Sequence, residues 1–127
     1  MRPTKATLTD QALEIMKVIW DLNQATVREV YEKLLERRRI AYTTVMTMMK
    51  ILEEKGHLIK NQEDRAFLYS PAKPKHLVIQ GMVREFVNRV FNGSAEPLLV
   101  HLVEDDKISN EDLAEITRLV KANRRKS

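Results

Sequence analysis

The sequence contains no cysteine, which removes any disulfide framework and any thiolate metal site. Three glycines and four prolines in 127 residues are too few for a loop-rich sandwich, so long regular elements are expected. No apolar run approaches the roughly 18 residues that a membrane span requires. Met1 to Leu8 carries no leader-type hydrophobic stretch either. The expectation is a soluble, cytoplasmic protein with no membrane contact. A glycine-rich phosphate cradle is missing, as is a nucleophile set beside a histidine and a carboxylate, so an enzyme is not expected. His57, His76 and His101 are scattered without helical pairing, and neither a metal nor any other cofactor is expected.

What is present supports a real core, with 43% hydrophobic residues. The net charge of +4 favours an anionic partner without naming one. Through Ala72 there are twelve Lys and Arg against ten Asp and Glu; from Lys73 onward there are ten against eight. Bulk charge therefore does not locate a binding face, and local motifs must do so.

Thr9 is placed to cap a first helix, with Asp10 in its first turn and Leu8 and Leu13 positioned as a hydrophobic staple. Leu13, Met16, Ile19 and Trp20 follow at helical spacing, and the pattern stops near Asn23. Thr26-Val27-Arg28-Glu29 is a capping box for a second helix, with Val27, Val30, Tyr31, Leu34 and Leu35 as its apolar stripe. A third helix is predicted from Ala41 to Lys55, with Gly56 as its stop. His57–Lys60 and Ala66–Ser70 read as two short strands around a polar loop, Asn61–Arg65. Pro71 and Pro74 then break the chain.

The remainder is predicted helical throughout. Lys75–Phe91 has a broad apolar stripe and ends at Asn92-Gly93; Pro97–Glu104 is apolar almost all round; Ser109-Asn110-Glu111-Asp112 caps a last helix. The expected fold is mainly α with a small β-hairpin. A winged helix-turn-helix domain over residues 1–72 precedes a three-helix module over 73–127. That module is too apolar on several faces to stand alone, which predicts a homodimer. Its expected contact residues are Phe86, Val90, Leu99, Leu102, Val103, Leu113, Ile116 and Leu119.

The segment Ala41–Gly56 is the informative one. Winding it as a helix puts Val45, Met48, Met49 and Leu52 on a core face. Thr43, Thr47 and Lys50 fall opposite, with Met46 and Ile51 on the flanks. A face of hydroxyls, one cation and two apolar edges suits a major groove, because Thr can bond phosphates or base edges and its methyl can meet a thymine methyl. No carboxylate precedes Glu53 on that face. Threonine is a weak helix former, so this concentration on an exposed surface calls for a reason beyond packing. In the hairpin, Lys60 and Arg65 flank the loop, and Arg65 is the better candidate for a DNA contact.

The order Leu8-Thr9, Glu14-Ile15-Met16, Trp20, Thr26-Val27, Ala41-Tyr42-Thr43-Thr44-Val45, Thr47, Leu52, Lys55-Gly56 and Tyr69 with Pro71 resembles the penicillinase-repressor family, the BlaI/MecI group. The resemblance extends through Phe91-Asn92-Gly93-Ser94 and Leu98–Glu104. It implies a dimeric repressor that binds a semi-palindromic double-stranded operator and blocks β-lactamase or penicillin-binding-protein genes. It also implies that Tyr42, Thr43, Thr44, Met46 and Thr47 lie where members touch DNA. One position departs: the family usually has Arg immediately before the residue matching Leu52, whereas this chain has Ile51, with Lys50 one step earlier. Finally, the resemblance implies an inducing protease. The best-understood members are cut at an Asn–Phe bond in the fifth helix, and the matching bond here is His101–Leu102, which keeps only the polar-then-apolar character. A winged helix used solely for protein–protein contact is the competing reading.

Overall fold

The computed structural model describes residues 8–126. The stretch Met1–Thr7, read above for a leader, lies outside the described residues. The elements run α1 (Asp10–Leu22), α2 (Val27–Leu35), α3 (Tyr42–Glu54), β1 (Leu58–Glu63), β2 (Ala66–Pro71), α4 (Lys75–Phe91), α5 (Glu96–Glu104) and α6 (Asn110–Lys126). Three helices followed by an antiparallel hairpin make a winged helix-turn-helix.

The helix boundaries follow local chemistry. Thr9 accepts the Ala12 amide at 3.1 Å, capping α1. Asn23, at φ 72° and ψ −40°, ends that helix with a positive φ that Asn tolerates better than most residues. Thr26 and Glu29 form a reciprocal capping box on α2, with hydrogen bonds of 3.1 and 2.8 Å. Gly56, at φ 87°, ends α3 where a side chain would be strained.

The chain forms two compact units, the first extending to Val83 and the second beginning at Arg84, within α4. The core of the first is built from Ala12, Ile15, Met16 and Ile19 of α1, Val30 and Leu34 of α2, and Val45, Met49 and Leu52 of α3, closed by Leu58 and Tyr69 from the hairpin. The α1 stripe is thus rotated from the expected one: Ile15 and Ala12 are buried, while Leu13 and Trp20 pack at its margin. Leu35, expected in the α2 stripe, is exposed, because the buried face of this short helix is centred on Val30 and Leu34. The Trp20 indole N–H donates to the Lys73 carbonyl at 3.3 Å, fixing the exit of the hairpin against α1.

The hairpin also differs from expectation. Its strands run through Asn61, Gln62 and Glu63, and the connection is only Asp64-Arg65, with Asp64 at φ 56°. Beyond Leu58 all of β1 is exposed, so no apolar alternation marks it. A third strand contributes a single residue. Ala25, between α1 and α2, exchanges both backbone hydrogen bonds with Tyr69, at 2.9 and 2.8 Å.

In the second unit, Asn92 (φ 56°) and Gly93 (φ 90°) end α4. Ser109 and Asp112 cap α6 reciprocally at 3.0 Å. Among the described residues of this unit none is buried. The Phe86 and Phe91 rings pack edge to face at 5.8 Å, and the His101 ring lies 6.1 Å from that of Phe91. No helix of the described residues is long and apolar enough to cross a membrane.

Candidate nucleic-acid interface

The site is built on α3, whose buried side, Val45, Met49 and Leu52, locks its rotation against α1 and α2. Because that side faces the core, Thr43, Met46, Thr47, Lys50 and Ile51 are presented outward. Met46 is 46% and Ile51 42% exposed, large for apolar side chains and in keeping with flanks awaiting a partner. Thr44 and Tyr42 are half-buried at the edge of the same face. Met48, expected on the core side, sits at its margin.

Electrostatics favour an anion at the helix start. Ala41 caps α3 with no side-chain hydrogen bond, and the first turn holds no acidic residue. The opening amides of α3 therefore retain donor capacity at the positive end of the helix dipole. Tyr42, the first residue, is held by neighbours on α2. Its ring meets Tyr31 edge-on at 5.3 Å and 82°, and the Arg28 guanidinium lies 5.5 Å from its centroid. Sequence reading gave Arg28 no role beyond its place in the capping box. The signal lies in the crossing of α2 and α3, which spacing alone does not show.

The two wing cations behave differently. The Lys60 ammonium lies 3.8 Å from Glu53 on α3 and 4.6 Å from the centroid of Phe67, and its side chain is only 35% exposed, so it is partly engaged within the protein. Arg65 sits at the exposed turn and makes no ion pair among the described residues. Beneath the wing, burial pushes the Tyr69 phenol above its ordinary range, with Glu53 and Tyr42 adding to the effect. Burial also lowers His57, helped by the cations Lys73 and Lys55, which favours the neutral imidazole at the root of the hairpin.

The model of a family described as penicillinase repressor matches residues 8–122. The chain belongs to the penicillinase repressor family. Among its relatives, the penicillinase repressor of Bacillus licheniformis is 29% identical over 117 residues, spanning 92% of this chain and 91% of the relative. The transcriptional regulator BlaI of Mycobacterium tuberculosis is 36% identical over 99 residues, spanning 76% and 72%. The solution structure of the DNA binding domain of the repressor BlaI superposes with a TM-score of 0.51 at 31% identity, covering 58% of this chain and 90% of that domain. Penicillinase repressors are transcriptional repressors rather than enzymes, and this chain is one of them.

Proposed function

We propose that this penicillinase repressor acts as a homodimer, each protomer placing α3 in the major groove of one half-site of a semi-palindromic operator. Thr43, Thr47 and Lys50 face base edges and phosphates, Met46 offers an apolar contact to thymine methyls, and Tyr42 and Thr44 line the rim. Arg65 follows the backbone or the adjacent minor groove from the wing. The observation that carries the reading is the outward face of α3: hydroxyls and a cation, no carboxylate before Glu53, and an uncapped amide end.

Dimerisation belongs to the helices after the hairpin, so that residues 1–72 read DNA and 73–127 join the protomers. Phe86, Val90, Leu99, Val103, Leu113 and Leu119 are each between 39% and 49% exposed, while Leu102 and Ile116 are half-buried. An apolar helix set with no buried residue among its described residues gains most by pairing with a second copy.

Sedimentation of the purified protein, joined to a salt titration of its binding to duplex DNA, tests both halves. A dimer whose log affinity falls steeply with log salt is expected, since each neutralised phosphate adds about 0.9 to the slope. A protein that retains no genomic duplex at physiological salt would instead point to a winged helix for protein contacts alone.

A further inference from the structure

We infer that Arg28, on the supporting helix α2, is a phosphate-contacting residue that also orients Tyr42 at the mouth of the recognition helix. The inference rests on the operator reading above and adds a contact outside α3 and the wing. Arg28 and Tyr31 are three residues apart and share one face of α2. Between them they clamp the Tyr42 ring, Tyr31 edge-on at 5.3 Å and the Arg28 guanidinium 5.5 Å from its centroid. The first residue of the recognition helix is therefore held by side chains of the helix before it. In helix-turn-helix docking the recognition helix enters the groove by its N-terminal end, while the preceding helix crosses the backbone. A cation held over the Tyr42 ring then stands at the groove edge, where phosphates run.

The partners of Arg28 leave it available. Its side chain is 67% exposed, so its charge faces solvent. Glu32, at 3.7 Å and itself 61% exposed, is its ion-pair partner. Exposed pairs of this kind contribute little and are readily exchanged. The other nearby carboxylate, Glu29, is occupied by the Thr26 amide at 2.8 Å and the Thr26 hydroxyl at 3.3 Å. A phosphate offers the planar guanidinium two oxygens in a fork, which a single long contact to Glu32 does not. Lysine would keep the charge but lose the planar, forked guanidinium.

Arg28→Ala and Arg28→Lys should be measured on two duplexes, a genomic fragment retained by the wild-type protein and one of random sequence, with Thr47→Glu alongside. For Arg28→Ala we expect an unchanged melting temperature and affinity lower by roughly tenfold per protomer on both duplexes. The salt slope should be shallower by about 0.9 per protomer. Arg28→Lys should restore the slope but only part of the affinity. Wild-type affinity in Arg28→Ala, or a loss with the slope unchanged, would overturn the phosphate contact; full rescue by lysine would overturn the orienting role. Thr47→Glu separates the two levels: if it binds like wild type the operator reading itself fails, whereas its loss beside a silent Arg28→Ala removes only this inference.

Discussion

The Arg38 guanidinium grips the Glu14 carboxylate through two hydrogen bonds, 2.8 Å from Nη2 and 3.4 Å from Nε, tying α1 to the segment that leads into α3. The hydrogen bond from Arg38 is the main reason Glu14 is held below its ordinary 4.5, against an opposing push from burial. A carboxylate depressed in the folded state stabilises the protein above its unfolded pKa and loses that contribution as pH falls through the folded value. With Arg38 39% and Glu14 20% exposed, solvent screening keeps the contribution of the pair small. Denaturant unfolding at neutral pH and at about pH 3 should show wild type losing more stability than Glu14→Gln across that window. Equal losses would mean the fork contributes nothing measurable.

Thr47→Glu tests the assignment of the recognition face. Thr47 is exposed on α3, opposite buried Val45, Met49 and Leu52, and its hydroxyl makes no hydrogen bond among the described residues. Little packing is lost, so the unfolding midpoint should stay close to wild type. The new carboxylate would face phosphates and base acceptors, and such like-charge contacts cost several kcal/mol, about a hundredfold or more in affinity. Binding within a factor of two of wild type would show that another face of the domain meets the DNA.

The parts of this fold that were legible in sequence are those decided within a few residues. Thr9, Thr26 and Ser109 cap helices, and Asn23, Gly56 and Asn92-Gly93 end them, because each acts on its own turn. The outward set Thr43, Met46, Thr47 and Lys50 was legible because winding a helix fixes its faces once the buried side is known. The wing was misread at Asn61–Glu63: an exposed strand needs no apolar alternation, so its polar residues resemble a loop. Ala25 gave no signal at all, since its strand pairing with Tyr69 and its complete burial arise from tertiary contact. The approach of Arg28 to the Tyr42 ring carries no sequence signal for the same reason.

A charge in the middle of the apolar set should separate the protomers. Leu99 and Val103 lie one turn apart on α5, 42% and 47% exposed, so an arginine at either place is solvated in one chain but unpaired at a closed interface. Leu99→Arg is expected to sediment as a monomer whose α1–β2 domain still unfolds cooperatively. Joining two readers makes the second docking intramolecular, worth about 10² to 10⁴ in avidity, and the monomer should lose that factor. Its salt slope should fall by about half, because one set of phosphate contacts remains. A variant that stays dimeric at full affinity would place the dimer contact outside α5.

Proteolytic induction, implied by the family resemblance, makes a definite claim about the bond between His101 and Leu102. It lies inside α5, a nine-residue helix with no buried residue. The His101 carbonyl accepts the Asp105 amide at 3.0 Å and the Leu102 carbonyl accepts the Lys107 amide at 2.9 Å. A protease needs several residues of extended backbone, so these bonds must open before the cut. An isolated helix this short is marginal, and with little packing of its own α5 opens at low cost in a single chain. Pairing on Leu99 and Val103 would raise that cost, so free protomers should be cut faster than the DNA-bound dimer. A break here also divides the dimer contact set, removing the avidity that holds both half-sites. Following the protein in cells exposed to a β-lactam should reveal a fragment ending at His101, appearing sooner in Leu99→Arg than in wild type. Intact protein alongside derepressed target genes would rule the cut out and leave induction to a signal that releases the dimer whole.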